Sequence, residues 1–372
     1  MKKICIITAS RSEYGLMRWI IDSVHKDTDL ELQLVVTGAH LSVEQGLTYR
    51  FIETDGYPIT EKVSILNSNN DETGIAKTMG NCSIKMADVY AKLKPDIIIV
   101  LGDRYELIPI VSTALVMRIP VAHIGGGDVT EGAIDDEFRN AISMMATIHF
   151  PSVEDSYNNI CRMRGSNEGI FQVGEPGLDS ILHYDLWSKN RTALELNLDS
   201  NKKWCLVTLH PETKLSLEEN IHMVHNLYEA MCNINNIQYI ISKANLDLGG
   251  SAINDFWTKV SSKNTNTFHL YSSLGQIRYL SFMKHVDMIV GNSSSGIIEA
   301  PFMGTPVVNI GDRQKGRHLC PNIISCGRSV DEISLAMHKA MNEDKKKDIY
   351  WGDGKTSERI CAIIKDYLYE SK

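Results

Sequence analysis

Short, unbroken apolar runs alternate with longer stretches of helical periodicity along the whole chain, and this alternation restricts the fold more than any other feature. An apolar run without polar interruptions is buried on both faces, the condition of a strand in a parallel sheet covered by helices. In the first half such runs lie at residues 4–8, 32–37, 96–101, 120–124 and 170–173. Between them the spacing turns helical: over residues 14–25, Leu16, Ile20, Ile21 and Val24 share one stripe. A polar patch at 194–203 precedes a second series at 204–209, 238–242, 267–270, 288–290 and 307–310, with helical patterns at 217–233 and 333–341. The expected fold is α/β, two doubly wound domains facing each other. The first is expected over residues 1–175 and the second over 176–372, with the last helix packing back on the first domain.

At 372 residues the chain is long enough for two full cores, and 43% hydrophobic with 23% charged residues is ordinary for a globular protein. A formal charge of −8 argues against nucleic acid or an anionic membrane as partner, because both demand a broad basic surface. No apolar run reaches the roughly 18 residues of a membrane span, and Met1-Lys2-Lys3 leads directly into the first run without a signal-peptide pattern. A cytoplasmic location is expected. The eight cysteines form no CxxC pair and sit mostly in apolar segments, so reduced core residues are expected, neither disulfides nor zinc ligands.

Polar clusters follow the carboxyl ends of the apolar runs, the edge where α/β proteins bind ligands. Ser10 to Gly15 follows the first, Gly102-Asp103-Arg104 the third, and His123 with Gly125-Gly126-Gly127-Asp128 the fourth. His210-Pro211-Glu212-Thr213 and Lys243-Ala244-Asn245 do the same in the second half. The densest stretch is 291–317, GNSSSGIIEAPFMGTPVVNIGDRQKGR. Asn292, Ser293, Ser294, Ser295 and Gly296 form a turn opening a helix, whose exposed amides suit an anion. Glu299 lies one turn along and accepts hydrogen bonds from ribose hydroxyls, while Arg313 brings a forked cation to the same edge. The combination reads as a nucleotide-sugar site. Neither SRSEYG nor GGGDVT fits G-x-G-x-x-G, which disfavours a nicotinamide dehydrogenase.

In order along the chain, SRSEYG, VTGAH, LGDRYE, GGGDVTEGAIDDEFR, LHPET, GNSSSGIIEAP and NIGDRQKGR resemble the hydrolysing UDP-N-acetylglucosamine 2-epimerases of bacterial sialic and legionaminic acid synthesis. The resemblance implies a glycosyltransferase-B-like pair of Rossmann-like domains, a UDP-sugar in the cleft, no cofactor and a homo-oligomer, dimer or tetramer. It carries UDP-contacting roles onto Arg11, Arg104, His210, Asn245, Ser293, Ser294, Glu299 and Arg313, and catalytic carboxylates onto Asp103 and Asp135. Ser295 and Gly296 complete the phosphate turn. Gly125 stands where many relatives carry a catalytic Glu, and Asn140 where His commonly follows the arginine.

The chemistry calls for two carboxyl groups. The C2 proton of a 2-acetamido sugar is not beside a carbonyl, so its acidity must come from charge growing at C1 as the bond to UDP breaks. Loss of both gives a glycal, and water then adds to C1 while an acid returns a proton to C2 on the other face. One base and one acid are needed, and the scheme requires no metal. With Gly125 unable to serve, the second function falls to Asp128, Glu131 or Asp135. Asp135, at a probable helix start where the dipole favours its ionised form, is expected as the base, leaving Glu131 or Asp128 as proton donor. The sugar is N-acetylglucosamine or a 2,4-diacetamido-2,4,6-trideoxy analogue. A UDP-sugar glycosyltransferase remains the rival, since it shares fold and nucleotide grip.

Overall fold

The structure, a computed structural model, describes residues 1–372 except 70, 130–134, 213, 245–248 and 371–372. It divides into two compact units, Met1–Ser180 with Gly352–Lys372, and Ile181–Trp351. The first unit therefore continues past residue 175, and the 194–203 patch belongs wholly to the second, where the Lys189–Leu196 helix leads into its first strand.

In the first unit, β1 (Lys2–Thr8), β2 (Leu30–Thr37), β3 (Glu61–Val63), β4 (Ile97–Leu101), β5 (Val121–Ile124) and β6 (Ile148–Phe150) form a parallel sheet in the order β3-β2-β1-β4-β5-β6. In the second, β7 (Lys203–Thr208), β8 (Ile237–Ser242), β9 (Phe268–Tyr271), β10 (Met288–Gly291), β11 (Val307–Ile310) and β12 (Ile323–Cys326) repeat the pattern as β12-β11-β10-β7-β8-β9. Each unit is a doubly wound Rossmann-like domain. Each winds outward in both directions from a central pair, β1 with β4 and β7 with β10, so a crevice opens at the carboxyl ends of those strands.

Burial explains the apolar runs residue by residue. On β1, Ile4 and Ile6 pack with Ile20, Ile21 and Val24 on one face, while Cys5 and Ile7 pack with Met86, Ile110 and Ile142 on the other. On β7, Cys205 and Val207 join one core and Trp204 and Leu206 the other. A side chain is hidden whichever way it points.

Three strands carried no run in the sequence: β3, β6 and β12. All lie at sheet edges and span only three or four residues, too short for a periodic signal. The run at 170–173 is not a strand; among the described residues Ile170 makes one isolated bridge to His149.

The Thr356–Glu370 helix packs on the Arg11–Lys26 helix and adds Ile360, Cys361, Ile364 and Leu368 to the first unit's core. Its start is capped from a distant segment: Asp179 accepts from the amides of Thr356 at 2.9 Å and Ser357 at 2.7 Å. No helix of the described residues is long and apolar enough to cross a membrane. The cysteines are free thiols, and Cys5, Cys82, Cys205, Cys320 and Cys361 are buried.

Candidate active site

The carboxyl ends of β1, β4 and β5 gather the candidates of the first unit. After β1, Ser10 caps the Arg11–Lys26 helix, and Glu13 completes a capping box by accepting from the amides of Ala9 at 2.6 Å and Ser10 at 3.2 Å. Arg11 lies over the ring of Phe51, 4.6 Å from its centroid. After β4, Arg104 donates to Glu106 Oε1 at 2.6 Å, with its Nε 3.6 Å from Glu13 Oε1. The pairing with Glu106 outweighs burial and raises the guanidinium's already high pKa. Burial pushes Glu13 up to about 7, against the opposing pull of the Ala9 amide and the Arg104 charge. Glu13 Oε1 and Glu106 Oε2 have no hydrogen-bond partner among the described residues.

Asp103 and Arg104, adjacent in sequence, do not pair with each other. Asp103 instead forms an ion pair with Arg139, a side chain only 5% exposed. Arg139 also donates to Asp136 Oδ1 at 2.5 Å and to the Asp128 carbonyl at 2.8 Å. One buried guanidinium thus ties the loop after β4, the loop after β5 and the Asp135–Met145 helix together. His123 braces the same corner: its Nε2–H donates to the Gly102 carbonyl at 2.8 Å, so Nδ1 accepts from Ser143 Oγ at 3.1 Å. Burial lowers its pKa to about 4. His123 is a neutral structural brace behind Asp103.

Asp135 departs from the sequence expectation. Burial, then the negative charge of Asp103, raises its pKa despite its place at the helix start. Asp135 therefore holds a proton more readily than an ordinary aspartate. Asp128 Oδ1 accepts from Ser156 Oγ at 2.5 Å, and Asn159 donates to the Gly127 carbonyl at 2.8 Å, fastening the glycine loop to the Glu154–Arg164 helix. Gly125 has φ +76°, and a Cβ there would meet no atom within 4 Å. Glu131 and Asn245 lie outside the described residues.

In the second unit the candidates follow β7, β10 and β11, and Asn292 knits those three loops. Its side chain brackets the backbone of His210, accepting from the amide at 2.7 Å and donating to the carbonyl at 2.9 Å. Its own carbonyl accepts from Arg313 at 3.0 Å and Gln314 at 2.8 Å. Ser293 is the N-cap of the Ser294–Met303 helix. Two of the expected anion-binding amides are engaged there: Ser295 N–H donates to Ser293 Oγ at 3.4 Å and Gly296 N–H to the Ser293 carbonyl at 3.1 Å. The phenol of Tyr279, 2.5 Å from Ser295 Oγ, joins the serine hydroxyls. Glu299, one turn along, has its pKa raised by burial, with its own backbone amide and Arg317 opposing.

Arg139 and Tyr279 organise these loops and were not singled out as site residues from the sequence, while Asn292 was read only as part of the anion-binding turn. Arg139 follows Asp136 at helical i,i+3 spacing, a signal available in the sequence. Tyr279 comes from another helix and had none.

The sequence profile of the UDP-N-acetylglucosamine 2-epimerase family matches residues 22–365. The chain belongs to this family. It is 38% identical to the GDP/UDP-N,N'-diacetylbacillosamine 2-epimerase (hydrolyzing) of Campylobacter jejuni, covering 93% of this chain and 89% of that one. It is 32% identical to the UDP-N,N'-diacetylbacillosamine 2-epimerase (hydrolyzing) of Legionella pneumophila, covering 98% and 96%. Among solved structures, the UDP-GlcNAc 2-epimerase of Neisseria meningitidis bound to UDP-GlcNAc superposes with a TM-score of 0.81 at 18% identity, over 98% of this chain and all of that one. That likeness shows the fold, and both 2-epimerase family members carry paired Rossmann-like domains.

Proposed function

We propose that this family member hydrolyses a UDP-2-acetamido sugar to UDP and the free sugar epimerised at C2, and that its sugar is 2,4-diacetamido-2,4,6-trideoxyglucose, known as N,N'-diacetylbacillosamine. The observation that carries the reading is near full-length similarity to two hydrolysing diacetylbacillosamine 2-epimerases. The open space in front of Gly125 supports it, because an acetamido group at C4 takes more room than a hydroxyl.

In this reading the second unit holds UDP. His210, Arg313 and the serine turn face the diphosphate and Glu299 the ribose. Arg11 and Arg104, which the family resemblance matches to UDP-contacting positions, would stabilise the negative charge that develops on the phosphate as the C1–O bond breaks. Asp135, with raised proton affinity, takes the C2 proton as the bond to UDP breaks, leaving a C1–C2 double bond. Asp103, paired with Arg139, supports the positive charge at C1. Water then gives its hydroxyl to C1 and loses its other proton to solvent, while Asp128 or Glu131 in its protonated form delivers a proton to the opposite face of C2; exchange with solvent then reprotonates that donor and deprotonates Asp135. The products are UDP and the manno-configured sugar. The enzyme is expected to act as a homo-oligomer in the nonulosonic acid route.

Proton NMR of the purified protein with the UDP-diacetamido sugar and with UDP-GlcNAc, in deuterated water and without an acceptor, tests the reading. The expected result is UDP plus a free mannosamine-type sugar carrying deuterium at C2, formed faster from the diacetamido substrate. Retention of the original C2 hydrogen would sink the elimination route. A higher kcat/KM for UDP-GlcNAc reassigns the substrate, and UDP release only with an acceptor present would indicate a glycosyltransferase.

A further inference from the structure

We propose that Arg328 is a positioning residue for the diphosphate grip, holding the loops that carry His210 and Arg313 and cancelling the carboxylates that flank them. The inference rests on the UDP reading above.

Glu212, two residues past His210, is 6% exposed. Arg328 grips it at two points, Nη2 to Oε2 at 2.6 Å and Nε to Oε1 at 3.3 Å. The same Nη2 donates to Asp312 Oδ2 at 2.8 Å, in the residue before Arg313. The Asp312 amide reaches Glu212 Oε1 at 3.3 Å, closing a ring across the two loops. Gly311 shows how tight the junction is: with φ +73°, a Cβ there would lie 2.0 Å from Glu212 Oε1. Both ends of the clamp are anchored. The Glu212 backbone is bracketed by Asn220 at 2.8 and 3.1 Å, and the Arg328 carbonyl accepts from Asn226 at 2.8 Å.

Charge gives the clamp its purpose. Two carboxylates stand within two residues of the groups meant to hold a diphosphate, and unpaired they would repel it. Arg328 supplies the compensating cation and, through its planar fork, a fixed geometry that Lys does not reproduce. Asn292 stitches the same loops from the opposite side, so His210 and Arg313 are held between two fixed points.

The test measures UDP by calorimetry and uridine by ligand-observed NMR, on the full chain and its Arg328→Met variant. Uridine lacks the phosphates and serves as the internal control. UDP affinity is expected to fall about 10-fold or more while uridine binding stays within about twofold, since loss of Arg328 leaves the buried Glu212 carboxylate without its cation beside the diphosphate grip. Unchanged UDP affinity, or equal loss of both ligands, overturns the proposal. If Arg328→Met does not give folded protein, Arg328→Lys decides by the same comparison: a UDP-selective loss of about threefold or more supports the fork, and equal affinities refute it. Failure of the unaltered protein to bind UDP removes the UDP reading itself, and this inference with it.

Discussion

Asp103 and Arg139 stand 36 residues apart in the chain and share one ion pair, so the orientation of the candidate catalytic carboxylate depends on a residue from another element. Asp103→Asn is expected to lower turnover by about 10²- to 10⁴-fold while UDP affinity is kept. Arg313→Ala and Glu299→Ala should do the opposite, weakening UDP binding with turnover at saturation largely retained. Calorimetry with steady-state rates separates the two patterns, and loss of UDP affinity without loss of turnover in Asp103→Asn would reverse the assignment. Because Arg139 is 5% exposed, the Asn variant also removes one of the counter-charges of a buried cation, so melting curves belong beside the rates. Glu13 makes a prediction in pH. Its carboxyl titrates near 7 when folded against about 4.5 when unfolded, so the folded state binds its proton more tightly. Its contribution to stability is present in full below about pH 4.5 and is lost as pH rises through 7. Glu13→Gln removes that dependence: the stability of the unaltered protein relative to the variant should improve as pH falls from 7 to 5, and parallel pH–stability curves would exclude it. The residue types and order of Asp103, His210, Glu299 and Arg313 were legible in the sequence because each follows a strand. Their partners were not, since Arg139 and Asn292 act through contacts that only the fold brings together.

At the scale of elements, the central strands and the edge strand β9 were readable, and the edge strands β3, β6 and β12 were not. β1, β4, β7 and β10 are hidden on both faces and so read as unbroken apolar runs, whereas β12 is only partly buried over its four residues. The cap of the Thr356–Glu370 helix was equally invisible, because Asp179 lies 177 residues before Thr356. Asp179 is fully buried and satisfies two amides and the Ser357 hydroxyl. Asp179→Ala is expected to cost about 2–4 kcal/mol by leaving those donors without an acceptor. Chemical denaturation checks this, and a change below about 0.5 kcal/mol would mean that water replaces the carboxylate.

For the whole molecule, the first unit is built from both ends of the chain. Ile360, Cys361, Ile364 and Leu368 belong to its core. At about 1.5–3 kcal/mol for each large apolar side chain buried, their removal approaches the entire 5–15 kcal/mol by which a domain is stable. A chain ending after Trp351 is therefore expected to lose cooperative folding of the first unit, whereas residues 181–351 alone should keep a melting transition of their own. Circular dichroism of the two species decides, and a second cooperative transition in the chain ending after Trp351, absent from residues 181–351, would show that the last helix is dispensable. The α/β class and the placement of polar clusters after strands were determined by the sequence, because both follow from local periodicity and from which residues can be hidden in a sheet. The tertiary structure decided what no local pattern contains: that Asp103 pairs with Arg139 rather than Arg104, and that the Asp103 charge helps raise the pKa of Asp135. These depend on distances between groups far apart in the chain, and such distances exist only once the elements have packed.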